Sequence, residues 1–406
     1  MKNIEVCLNL LDKWLDSCRV KEGYGGPVVH WWGESLTYTG VGTDWRYEGI
    51  ITAYLNLYKK SWNEYWLNKA VMAGNDLVKL QLKDGYFPTS CFELNPTAGT
   101  LVHQAGCDIG LLELYKTTKE EQFLNSAERN IYQIIDKYWD STKGQYHAFV
   151  DRTTSKQSFY YSPNMAATFT EALMTLLNIN GDKKLEPYIN KTLRYLLSIQ
   201  VQKGRLEGGI FEEEDHSSIY SFYVARYVPV FLKQYEITKE NEFKKAADKI
   251  VKFLLSLEHK QGGFYHFISY NGNKYDKFRW IAGTGDILRA LHLAKVDESI
   301  IKKHVDWILH YQHPSGGVQS SITKKQRFND VIPVVGWCDK TFRLLSLIAN
   351  GEVINTEYKK TVCECILKGK HVQYEEDKKH MAVTYKGKIF YLWKKGGYSA
   401  EYLRHF

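Results

Sequence analysis

The feature that most constrains this chain is a loop that recurs. It reads Gly25-Gly26-Pro27-Val28-Val29-His30-Trp31, then Asp84-Gly85-Tyr86-Phe87, Lys143-Gly144-Gln145-Tyr146, Gly208-Gly209-Ile210-Phe211, Gly262-Gly263-Phe264-Tyr265 and Gly316-Gly317-Val318-Gln319, at intervals of about 54 to 64 residues. A repeat of that period is one supersecondary unit that cannot bury its apolar face alone, so neighbouring units must stack. Glycine followed by alternating aromatic or apolar residues is a turn feeding a short strand, so each loop is expected to carry a small β-hairpin.

Each loop is preceded by an amphipathic helix of about 16 residues and followed by a second helix, apolar on most faces, starting at Asp44, Val102, Asn164, Ser218, Ala282 and Gly336. A helix apolar nearly all round is buried. The intervening helices, such as 62–80, 120–138 and 240–257, carry one lysine-rich face and belong outside. Six inner and six outer helices make an all-α fold, an (α/α)6 toroid over residues 1–350, with short β-hairpins in the loops of one face. A closed ring needs no capping repeat, and its shared core explains how 406 residues form one domain. Beyond it, residues 351–406 read as an appendage of a helix and β-hairpins, because the tail after Gly369 alternates like strands.

Other classes are excluded by what is missing. No run of about 18 apolar residues is present to span a membrane. The start, MKNIEVCLNLLDKWLDSC, lacks the continuous apolar stretch of a signal peptide. The seven cysteines at 7, 18, 91, 107, 338, 363 and 365 are scattered and form no CxxC pair, which points to free thiols in a cytoplasmic setting and to no metal site. The net charge of +8 lies largely on outer helices, with no dense basic run for nucleic acid. No phosphate loop or nucleotide motif appears, so no cofactor is expected.

Hairpins joined by Gly-Gly-aromatic loops resemble the six-hairpin glycosidase-like toroids, a superfamily of glycoside hydrolases, unsaturated-uronide hydrolases, polysaccharide lyases and sugar epimerases. Two other toroid groups share part of the look. Gln81-Leu82-Lys83-Asp84-Gly85-Tyr86-Phe87 resembles the loop repeat of terpenoid cyclases and prenyltransferases, but no DxDD acid motif accompanies it. Trp280-Ile281-Ala282-Gly283 and Gly336-Trp337-Cys338 resemble lanthionine cyclases, yet Ile281 and Ala282 stand where those enzymes need zinc ligands. A ring that only binds glycan or peptide is a further alternative.

All the long loops join outer-helix C-termini to inner-helix N-termini and so gather on one face, where free N–H groups and the positive helix ends also point. Sugar chemistry needs carboxylates flanking a ring and aromatic faces to stack on. The inner-helix starts offer Asp44 and Glu48, placed one turn apart, then Asp108, Asp286 and Asp339. Asp108 with Asp44 or Asp286 is the expected acid/base pair of a hydrolase. Trp31, Trp32, Trp45, His103, Tyr160, Tyr161, Trp280 and Trp337 are expected to line the substrate, together with Arg46 and Arg279. With Arg152, Lys156, Arg205, Lys274, Lys277 and Arg327, those arginines suggest an acidic, uronide-containing oligosaccharide. His216 and Tyr220, read as one helical turn apart, suit proton abstraction in a lyase or epimerase.

Overall fold

The structure, a computed structural model, describes residues 3–29, 36–39, 41–88, 98–151, 154–212, 217–275, 279–352, 354–393 and 397–398. Fourteen α-helices occur among them. They are α1 (Ile4–Ser17), α2 (Arg46–Ser61), α3 (Glu64–Leu80), α4 (Leu101–Thr118), α5 (Glu121–Tyr138), α6 (Pro163–Asn180), α7 (Glu186–Ile199), α8 (Ser221–Ala225), α9 (Tyr227–Thr238), α10 (Asn241–Ser256), α11 (Thr284–Leu293), α12 (Glu298–His310), α13 (Phe328–Val331) and α14 (Val335–Ile348).

Their boundaries follow local chemistry. Ser162 caps α6 by accepting from the Met165 N–H, Pro163 opens the helix, and Gly181 closes it in the left-handed conformation. Contacts between helices then draw the ring: α2 packs on α4, α4 on α6, α6 on α9, α8 on α11, α11 on α14, and α14 back on α2. The outer helices α3, α5, α7, α10 and α12 lie against this inner ring, and α1 packs on α14. The fold is an α/α toroid, as the repeat implied, with one continuous hydrophobic core.

The repeat glycines have a packing reason. Gly208 has φ +89°, and a Cβ there would lie 2.2 Å from the Lys249 carbonyl of α10; at Gly316, φ +104°, it would lie 2.0 Å from the Leu10 carbonyl of α1. The loops at Gly85, Gly208 and Gly316 therefore press their backbones on an outer helix, the last of them on α1. Glutamines fix the contact. Gln81 Nε2 donates to the Gly85 and Ser126 carbonyls, and Gln312 Nε2 donates to those of Cys7 and Gly316. The Gln-x-x-x-Gly pattern is thus a bracket between hairpins.

The loops on the N-terminal side of the inner helices carry strands, but many pair between loops. Ala98–Thr100 pairs with Phe149–Asp151, Ser218–Tyr220 with Phe267–Ser269, and Arg279–Trp280 with Ser321–Ile322. The loop face is therefore laced together.

Two elements differ from expectation. The fourth inner helix is broken at Arg226 into α8 and α9, because Pro229 lacks the N–H that would bond the Ala225 carbonyl. The described part of 351–406 contains no helix. It is an antiparallel sheet, Thr361–Leu367, Lys370–Glu376, His380–Tyr385, Lys388–Trp393 and Gly397–Tyr398, each pairing with the next. Its inner face, including Leu367, Val372, Tyr374 and Met381, packs on Phe328, Val331 and Val334. Glu376 fixes it to the ring, accepting from Trp14 Nε1 at 2.7 Å, Ser315 Oγ at 3.2 Å and Tyr374 Oη at 2.7 Å.

Candidate active site

The mouth of the ring is an arc of aromatic rings. His103 lies 4.5 Å from Trp45 between ring centroids, and Trp45 stacks on Trp337 at 5.8 Å. Trp337 meets Trp280 edge-on at 4.5 Å, and Trp280 meets Phe222 at 4.3 Å. Phe222 stacks on His266 at 4.7 Å, and Tyr220 packs 5.8 Å from His266. These seven side chains come from residues at or next to the starts of α2, α4, α8, α11 and α14 and from one loop. Trp45, Trp337, Phe222 and Tyr220 are partly exposed, while both imidazoles are buried. Burial lowers His266 to about 3, so its ring is neutral at ordinary pH.

Lys340, which sequence reasoning did not single out, supplies a cation beneath this arc. Its ammonium is 5.4 Å from the Trp45 ring and 5.8 Å from the Trp337 ring, and it donates to the Gly336 carbonyl and to Asp339 Oδ1. Trp45 Nε1 donates to the same carbonyl at 2.6 Å, tying α2 to α14. Sequence offered a faint signal: Lys340 follows Trp337 by three residues, the spacing that puts two side chains on one helix face.

The acids behave differently from what their spacing suggested. Asp44 precedes α2 instead of sharing a helical face with Glu48. It forms a buried fork–fork pair with Arg46, at 2.8 and 2.9 Å. Burial pushes its carboxyl up, but Arg46 and then His103 pull it below the usual range. Glu48 is gripped by Arg226 at 2.7 Å on both oxygens and also by Arg343. Asp286 takes Arg343 at 2.6 Å and Arg226 at 3.7 Å. Both carboxyls are held below their ordinary range, because these guanidiniums outweigh burial. The break at Arg226 is what inserts one of those guanidiniums into the axis.

Asp108 sits two turns inside α4 rather than in its first turn. It is fully buried, neither oxygen has a hydrogen-bond partner among the described residues, and burial alone raises it far above the normal range. Asp339 is buried against Gly49, and burial, opposed by Lys340, lifts it to about 7. Of the expected acid/base pair, Asp108 with Asp44 or Asp286, the latter two are locked in ion pairs and Asp108 is buried with no hydrogen-bond partner among the described residues.

Two expected substrate contacts are also corrected. Arg46 is 1% exposed and spends its remaining donor on the Tyr24 carbonyl. Arg279 is buried and holds the Gly262 carbonyl and Gln261 Oε1. Neither presents a free fork, so the argument for an acidic sugar loses its two best arginines. Tyr160 and Tyr161 lie in the loop before α6, where their hydroxyls donate to Glu212 and Asp140. Tyr220 closes a strand and α8 begins after it, so the one-turn relation to His216 does not hold. His216, Trp31, Trp32, Arg152 and Lys277 lie outside the described residues. Among the described residues, no group of three or more His, Cys, Asp or Glu could hold a metal ion, and no helix is long and apolar enough to cross a membrane.

Comparison with known proteins agrees with this architecture. Residues 109–269 and 265–392 match the profile of the prenyltransferase alpha-alpha toroid domain. No curated protein sequence matches significantly. Among solved structures, the chain is similar to cellobiose 2-epimerase from Bacillus thermoamylovorans, with a TM-score of 0.64 at 15% identity over 84% of this chain and 98% of that one. A D-mannose isomerase gives 0.64 at 12% identity over 85% and 97%. An unsaturated glucuronyl hydrolase specific for heparin gives 0.63 at 10% identity over 84% and 95%. At these identities the likeness is one of fold.

Proposed function

The chain belongs to the prenyltransferase alpha-alpha toroid domain family, and from that premise we propose that it is a carbohydrate-active enzyme of the epimerase or isomerase kind, moving a proton next to a sugar carbonyl. The observation that carries this reading is the aromatic arc with an imidazole at His103 and another at His266. Flat indole faces suit the C–H face of a pyranose, and a pair of imidazoles suits proton transfer, one acting as base and one as acid. One imidazole takes the proton from the carbon beside the carbonyl of an open-chain sugar, leaving an enediolate. The other, protonated beforehand, gives its proton to the opposite face of that carbon, yielding the epimer and leaving the two rings with exchanged protonation; delivery to the former carbonyl carbon, with the hydroxyl proton passing from one oxygen to the other, yields the ketose instead. Lys340 and the starts of α2, α11 and α14 bring positive potential to the oxygen that gains charge.

Hydrolysis by a carboxylate pair, the first expectation from sequence, is less well supported, since Asp44, Glu48 and Asp286 are committed to arginines. The printed names of two fold neighbours, an epimerase and an isomerase, favour the proton-transfer reading. A second reading, an isoprenoid substrate, follows from the family name and from the same aromatic arc, which would also stabilise a carbocation.

Incubation with aldoses and reducing disaccharides in deuterium oxide separates the three. Proton transfer places deuterium beside the carbonyl, visible by NMR, and His266→Asn and His103→Asn should each slow it by a factor of about 10² to 10⁴. Release of a new reducing end without exchange would support hydrolysis. Turnover of prenyl diphosphates with no sugar reaction would sink the carbohydrate reading.

A further inference from the structure

On the opposite side of the charged axis from the aromatic mouth, the inner helices line a second cavity of about 210 Å³ that opens to the surface. Thr52, Ile109, Thr175, Leu293 and Leu347 contribute to it from five of the inner helices, so it lies on the ring axis. Glu171, Arg289 and Arg343 line it as well. Its size is below the roughly 300–1,000 Å³ of drug-sized sites, and equals about seven waters at ~30 Å³ each.

The polar atoms there are incompletely used. Arg343, 3% exposed, spends its terminal nitrogens on Glu48 and Asp286, and its Nε is buried with no partner among the described residues. Glu171 receives Arg289 on Oε1 at 2.9 Å, and its Oε2 is buried and likewise unpartnered. Lys233 reaches the same wall, donating to Thr175 Oγ1 at 3.0 Å. An orphaned buried donor or acceptor is costly, more so when charged, so both ask for a guest. Arg343 is neutralised by two acids, Glu171 by Arg289 and Glu113 by Lys116, and Lys59 lines the cavity as well. The site thus favours a neutral molecule with hydroxyls that both donate and accept, and with C–H faces for Leu55, Ile109 and Leu347.

We propose that this axial cavity is a second binding site, taking one small neutral polyol of monosaccharide size between Glu171 and Arg343. It stands independently of the reaction assigned to the mouth.

The test is calorimetric titration with D-glucose and D-mannose, with glycerol as the size control, on the wild type and three folded variants compared by thermal midpoint. Leu293 is 37% exposed at the end of α11, so Leu293→Trp can plug the cavity from outside. That variant should lose one equivalent of sugar, while Trp337→Ala, which damages the mouth, should keep it. Glu171→Gln should weaken the same equivalent by about tenfold, the worth of one hydrogen bond to a charged group, and it carries the test if Leu293→Trp does not fold. Unchanged stoichiometry and affinity in the cavity variants, or only water in the cavity of a sugar-saturated crystal, would overturn the proposal. Loss of the isomerase reading would instead show as no deuterium exchange while the rear equivalent persists.

Discussion

At the mouth of the ring, seven rings from Tyr220 to His103 meet in stacked, tilted and edge-on contacts, and the near cation, Lys340, lies by the Trp45 and Trp337 rings. Part-way along the axis, Glu48, Asp286, Arg226 and Arg343 meet as buried ions. Both regions are made by inner helices, and both contain the residue types that catalysis uses. The difference is commitment. In the axis every charge already has its opposite, and removing one member leaves the others stranded at low dielectric. At the mouth Trp45, Trp337, Phe222 and Tyr220 are partly exposed, so a substrate can add to the arrangement without dismantling it. Ionisable residues near a symmetry axis are therefore not automatically the chemistry; the number of partners each already holds decides.

The strongest way to break this contrast is Glu48→Ala. It leaves Arg226 and Arg343 without their shared carboxylate and should lower unfolding free energy by about 3–5 kcal/mol in chemical denaturation. A loss under about 1 kcal/mol would mean that the axis is not structural. The mouth should answer oppositely. His266→Asn and His103→Asn should cut turnover by a factor of about 10² to 10⁴. Their thermal midpoints should stay near wild type, and a matched fall in midpoint would make these histidines part of the frame.

A pH series sharpens the boundary between the two regions. Asp339 is about 7 when folded and near 3.9 when unfolded. Between those values the unfolded chain sheds its proton first, so the wild type loses stability as pH rises from about 4 to about 7. Asp339→Asn should flatten that slope. Asp108 is raised in the same direction, and Asp108→Asn should likewise gain relative to wild type above about pH 4, with turnover unaltered. Identical slopes in all three proteins would contradict the buried, proton-bearing state of these acids, and a large fall in turnover for Asp108→Asn would return it to the mechanism. The smallest effect belongs to the rim: Tyr161→Phe removes the hydroxyl that donates to Asp140 and should cost about 0.5–1.5 kcal/mol with turnover kept.

The ring was legible in the sequence because its signals are local and repeated. Gly208 and Gly316 mark loops, and the apolar pattern of α4 and α6 marks inner helices. The site was only half legible. Trp45, Trp280 and Trp337 stand out in sequence as large aromatics near helix starts, and the structure brings them into one arc. The roles of Asp44, Glu48, Asp286, Arg46 and Arg279 were not, because ion pairing here depends on which of six helices face each other across an axis, a relation with no sequence period. Glu48 meets a partner 178 residues away and another 295 away. Pro229 was the one local clue to the helix break that brings Arg226 inward.

The carboxylate of Glu376 binds Trp14, 362 residues earlier in the chain, and Ser315 beside the last repeat glycine. The C-terminal sheet is therefore a clasp over the seam where α1 meets the sixth hairpin. On a ribosome, five hairpins can dock in order as they emerge, each supported by its predecessor. The first hairpin waits throughout with one flank bare, since its second neighbour is made last. Ring closure and clasp thus arrive together, late in synthesis, and any chain interrupted before the clasp leaves the groove beside α1 open to other molecules in the cell.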